Sequence, residues 1–182
     1  MERNDYQLRE TAIHESGHAV AHSRLGIYQI CISLKSVDIY DEQGNLAAIQ
    51  FGSSMADGVE LVCDAEKARD QVLAFYAGYA ALVAAGYSEE ESARGADNDF
   101  AEAQYLLDLW QLGTASEWKE KSLVWMREER NVAAVLRVAD ELIMERQLVM
   151  DQINALIEVA DGELPEAEYQ RCKRAFWRRS ET

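Results

Sequence analysis

The sequence predicts a mainly α (α+β) fold, a helical domain with one small β element near its N-terminus. Three observations predict it. Helix-start and helix-stop signals recur along the chain, with capping boxes at Ser88/Glu91 and Thr114/Glu117 and stops at Gly26 and Gly86. The β-branched and aromatic runs without helical spacing are confined to residues 27–52. The 182 residues hold one proline and ten glycines, too few for long irregular stretches.

The elements follow in order. Asn4 caps a first helix, with Gln7 as its capping-box partner, and Leu25-Gly26 ends it. IYQICISL, VDIYD and LAAIQF form two or three strands, and DEQGN between the last two is a turn, so a hairpin is expected. A second helix runs from Val59 or Asp64 to Ala85. Ser88 and Glu91 open a short segment that Gly95 breaks. Asp97 or Asn98 caps a helix reaching about Leu112, and Thr114 opens another through about Arg130. A long helix from Asn131 to Ala160 is closed by Asp161-Gly162. Pro165 starts a last helix reaching Arg178. Residues 1–182 are read as one domain: a first helix (1–26), the β element (27–56) and a helical bundle (57–182).

Composition excludes some functions. A formal net charge of −15 repels phosphate backbones, so nucleic-acid binding is not expected. The longest mostly apolar run, Val72 to Tyr87, is short of the ~20 residues a membrane span needs. The N-terminal MERNDYQLRE has no signal-peptide apolar region. Cys31, Cys63 and Cys172 are odd in number and contain no CxxC pair, which suits buried thiols in a cytoplasmic protein.

The chemistry is concentrated in HESGHAV, residues 14–20. Residues four apart on a helix lie one turn apart and only about 40° round the axis, so His14 and His18 can face one ion. Glu15, rotated by about 100°, suits proton transfer to and from a metal-bound water better than ligation. His22 lies about 12 Å along the axis from His14, too far to share the ion, and its expected role is favourable charge near the helix C-terminus. Gly17 costs about 1 kcal/mol against alanine in mid-helix, so another chain segment should pack against it. A catalytic site needs a third protein ligand and an open fourth position. Ala21 and Arg24 stand where the metzincin arrangement places a glycine and then a third histidine, so that arrangement is excluded. Glu60, Glu66 and Glu89 to Glu91 are candidates, as is an aspartate from RGADNDFAEAQ, residues 94–104, where Asp99 and Asp97 also read as helix caps.

At this point the chain resembles a family. HESGHAV is similar to the HEAGHA-type helix of the FtsH family of ATP-dependent zinc metalloproteases, and Gly95-Ala96-Asp97-Asn98-Asp99 resembles its downstream GASND-type segment. The resemblance implies a zincin-like peptidase domain in which Zn2+ is held by His14, His18 and Asp99, with Glu15 catalytic and Asp97 the alternative ligand. It extends to the β element, the alanine-rich helix and DGELPEAEY. One run departs from it: where the family carries a GGRAAEE-like stretch, this chain has Ala77-Gly78-Tyr79-Ala80-Ala81-Leu82-Val83. Nothing in the sequence resembles the family's membrane anchor or ATPase module, and no GxxxxGK[ST] phosphate loop is present.

The implied activity is zinc-dependent hydrolysis of peptide bonds in flexible or unfolded polypeptides, with a separate ATPase or a homo-oligomer as partner. The alternative is an inactive binding or regulatory module of the same ancestry. Trp110, Trp118 and Trp125 are expected to serve the core rather than a subunit contact. The basic RCKRAFWRR, residues 171–179, is expected to complement a helix C-terminus.

Overall fold

The computed structural model describes residues 3–40, 46–56, 62 and 64–177 of the chain, with side chains at 5–28, 31–34, 62, 64 and 65–175. Its elements are α1 (Arg3–Leu25), β1 (Gln29–Tyr40), β2 (Leu46–Ala56), α2 (Ala65–Ala84), α3 (Glu89–Ala93), α4 (Asp97–Trp110), α5 (Ala115–Met126), α6 (Glu129–Glu145), β3 (Gln147–Val149), α7 (Met150–Ala160) and α8 (Glu166–Cys172). A π-helical turn, Lys173–Trp177, follows α8. The described residues are mainly helical, with one small antiparallel sheet of order β2-β1-β3. None of their helices is long and apolar enough to cross a membrane.

Two helices form the centre. From Ala12 to His22, α1 is buried on nearly every side, and so is α2 from Tyr76 to Leu82. They pack against each other; α1 also packs on α6, and α2 on α4 and α5. Small residues make the approach close. A Cβ added at Gly17 would lie 2.6 Å from the Ala77 carbonyl oxygen and 2.7 Å from the Ala81 Cβ. The close packing expected at Gly17 is therefore present, and its neighbour is α2. Gly17→Ala is expected to lower stability. The gain in helix propensity is about 1 kcal/mol, whereas forcing backbone apart in a packed core costs typically about 1–3 kcal/mol. A net loss of up to about 2 kcal/mol should lower the melting temperature by up to several degrees in a thermal scan.

The main core joins Ile13 and Val20 of α1 to Leu82, Met126, Val138, Leu142, Leu148, Leu156 and Tyr169. A second cluster, around Val72, Tyr76, Leu106, Leu107 and Trp118, lies between α2, α4 and α5. Phe100 packs against both clusters. Trp118 is buried and donates its indole N–H to the Leu112 carbonyl at 2.9 Å, and Trp110 and Trp125 pack against the cores. The core reading of the tryptophans agrees with this.

Local signals placed most helix ends. The capping boxes at Ser88/Glu91 and Thr114/Glu117 are formed, and Asp64 caps α2 by accepting from the Lys67 N–H. Four expectations need correction. Neither Asp97 nor Asn98 is a cap: Ala96 takes that position, and Asp97 is the first helical residue. The expected single helix from Asn131 to Ala160 is two helices. Arg146 adopts a left-handed conformation at φ 65°, and Gln147–Val149 turns into β3, pairing with Cys31–Ser33 of β1. Pairing across the fold, with Leu148 fully buried, outweighs a local pattern that suits a continuous helix. The helix expected to run through about Arg130 ends at Met126. The cap expected at Asn4 is not there either, because α1 begins at Arg3 and Asn4 is a helical residue; the DEQGN turn, Cys63 and Glu60 lie outside what is described.

The basic C-terminal segment is tied inward. Lys173 is buried in ion pairs with Glu141 and Glu145, Arg137 bridges Glu141 and Glu166, and Arg171 pairs with Glu168. The pairs of Lys173 with Glu141 and Glu145, and of Arg137 with Glu166, fasten α8 and its π-turn to α6. A complement to a helix C-terminus is thus only part of what the segment does.

Candidate metal centre

A buried helix that carries a glutamate and three histidines is expensive to fold, because each polar group leaves water. In α1, Glu15 is 7% exposed, His18 5% and His22 9%. Such a concentration of polar groups in a core is typical of a functional site. At the α1–α2 contact, His14 and His18 meet Asp99 of α4.

Helical spacing brings His14 and His18 together, with rings 4.8 Å apart and nearly perpendicular. The N-terminal turn of α4 brings Asp99 onto them from 85 positions beyond His14. The His14 Nε2 and Asp99 Oδ2 atoms are 3.1 Å apart, those of His18 and Asp99 3.3 Å, and the two Nε2 atoms 3.0 Å. Tetrahedral ligands with bonds of about 2.0–2.1 Å stand about 3.3 Å from one another. The three donor atoms are therefore spaced for one small divalent ion. Of the candidate third ligands, Asp99 alone joins the histidines in a metal-ligand group among the described residues. Asp97 is exposed, and Glu66 and Glu89 to Glu91 lie outside the group. His22 is buried farther along α1 and is likewise outside it.

Orientation is also set. The His18 Nδ1–H donates to the Ala74 carbonyl of α2 at 2.8 Å. That bond leaves Nε2 facing His14 and Asp99, the nitrogen that would offer its lone pair to a metal once its proton is displaced. Asp99 is the third residue of α4, where unpaired N–H groups and the helix dipole favour a carboxylate. The site is open on one side: the Asp99 side chain is 24% exposed, against 7% for His18.

The charges are strongly coupled. Burial pushes the His18 pKa down, but the Asp99 carboxylate outweighs it, and the imidazole is held at about 9 in the metal-free protein. Burial also disfavours the Asp99 charge, yet His18 and His14 hold its carboxyl well below the usual carboxylate range. Burial raises the Glu15 pKa, against the opposing pull of His14 and His18. Since His18 carries a proton at neutral pH, a metal must displace it. Metal affinity is accordingly expected to rise about tenfold per pH unit from pH 7 to about 9 and then level off. Chelator competition across this range checks it.

Gly78 is a site residue that motif reading passed over. A Cβ there would lie 2.6 Å from the His18 Nε2 and 2.7 Å from the His14 Nε2. Only glycine leaves these two nitrogens room. The available signal was a glycine inside a helix, the same oddity that drew attention to Gly17. The neighbouring departures from the GGRAAEE-like run, Tyr79 and Leu82, are core residues, each 1% exposed. No protein-family model matches this chain, and no curated protein matches it.

Proposed function

We propose that the protein is a zinc-dependent metallopeptidase, a zincin-like relative of the FtsH peptidase domain that cleaves flexible or unfolded polypeptides. The observation that carries this reading is the convergence of the His14, His18 and Asp99 donor atoms at 3.0–3.3 Å, beside a buried glutamate. Two imidazoles, one carboxylate and an open side fit a catalytic zinc site rather than a closed structural one. When bound there, zinc supplies a water acidified to a pKa of about 7 and polarises a carbonyl.

The chain's own groups do the rest. Glu15 follows His14 directly, and its buried carboxyl has a raised affinity for protons. That suits a group that takes a proton from the attacking water and returns it to the departing amine. The hydrogen bond from His18 to Ala74 fixes the imidazole while charge shifts around it. For substrate binding, β2 is an edge of the sheet and packs against α1. An extended peptide paired to that edge would be held through its main chain, which suits broad specificity.

The test is metal content measured together with cleavage of an unfolded protein. Bound zinc, with cleavage that a chelator stops and added zinc restores, supports the peptidase. Bound zinc without cleavage of several unfolded substrates favours the binding module, and absence of zinc removes the reading.

A further inference from the structure

The ligand Asp99 stands on a helix whose N-terminus has no side-chain cap: the cap residue is Ala96, and it makes no side-chain hydrogen bond. An uncapped first turn tends to fray, yet a metal site needs its carboxylate held within about half an ångström. Something else must secure the turn. The next residue, Phe100, packs from α4 onto α2. Its ring centroid lies 5.4 Å from that of Tyr76 and 5.7 Å from that of Tyr79 in an edge-on arrangement. Tyr79 directly follows Gly78, which makes room for the ligating histidines.

A cation closes this group. The Lys119 ammonium, from α5, lies 4.6 Å from the Tyr79 ring centroid and 4.7 Å from that of Phe100. Both distances are within cation–π range, and the side chain is only partly exposed, which strengthens such a contact over a fully solvated one. One ammonium thus engages a ring beside a ligand and a ring beside the glycine that admits the other two.

We propose that Lys119 is a positioning residue for the metal centre: its ammonium clamps Phe100 to Tyr79 and thereby holds the first turn of α4, with Asp99, against His14 and His18. This rests on the metal reading above. The clamp predicts that charge at position 119 sets metal affinity, whereas a role in packing alone predicts that an apolar side chain of similar length suffices. Lys121, on the same helix with its ammonium 4.3 Å from the Trp118 ring centroid, provides a matched contact whose ring adjoins no ligand.

The experiment measures zinc affinity by chelator competition for wild type, Lys119→Met, Lys119→Gln, Lys119→Arg and Lys121→Met, with the melting temperature of each metal-free protein. Lys119→Met and Lys119→Gln should bind zinc about tenfold more weakly. Lys119→Arg should restore most of the affinity, and Lys121→Met should bind as wild type does. Wild-type affinity in Lys119→Met, or an arginine variant as weak as the methionine one, overturns the clamp. So does loss of affinity in Lys121→Met equal to that in Lys119→Met. A wild-type protein that takes up no zinc overturns the metal reading itself, so the two failures are distinguishable.

Discussion

Glu15→Gln is expected to retain zinc and lose peptide-bond cleavage by about 10²–10⁴-fold, the range that a positioned acid–base group contributes. The substitution keeps the shape of a side chain only 7% exposed, so neither the histidines nor Asp99 need move. What disappears is the capacity to take and return a proton. Stability should change in the opposite direction. Because burial raises the Glu15 pKa above 4.5, the folded state holds its proton more tightly than the unfolded chain does. Wild-type stability therefore falls as pH rises from 4.5 through the elevated folded value, and Glu15→Gln removes that loss. The metal-free variant should melt at the wild-type temperature or above it at pH 7, a pattern expected where function is held at the expense of stability. Full cleavage by the variant would reassign the proton transfer; loss of its zinc would show that Glu15 serves the metal instead.

Gly78→Ala is expected to empty the metal centre. In an ordinary helix the change would gain about 1 kcal/mol. Here the new methyl would stand 2.6–2.7 Å from the His18 and His14 nitrogens proposed to hold the ion. His18 cannot swing aside without leaving the Ala74 carbonyl, to which it donates at 2.8 Å. His14 sits between that ring and Asp99, 3.0 Å from one and 3.1 Å from the other. Zinc affinity should drop about 10²-fold or more, at the upper end of what displaced supporting residues cost a metal site. Circular dichroism should still report a helical protein. A variant that binds zinc with wild-type affinity would mean that the two imidazoles do not share an ion at this place.

The parts of this site differ in how far the sequence revealed them. His14, Glu15 and His18 could be placed because a helix of fixed pitch turns spacing into geometry. The capping boxes at Ser88/Glu91 and Thr114/Glu117 could be placed because all their contacts are local. Asp99 is different. Nothing in residues 94–104 shows that this aspartate crosses to α1; it was reached by resemblance, and chain geometry closes the gap only in three dimensions. The break at Arg146 was hidden for the same reason. Leu148 becomes a strand residue by pairing opposite Ile32, more than a hundred positions away, and no local pattern records such a partner. Gly78 was legible in principle, since a glycine in a buried helix signals close approach, but what approaches it depends on the α1–α2 packing.

The most direct test of the account is anomalous diffraction at the zinc edge from crystals of zinc-loaded protein. The account predicts one strong peak within about 2.0–2.2 Å of the His14 Nε2, the His18 Nε2 and an Asp99 carboxylate oxygen. A peak elsewhere, or one whose coordination omits Asp99, would contradict it.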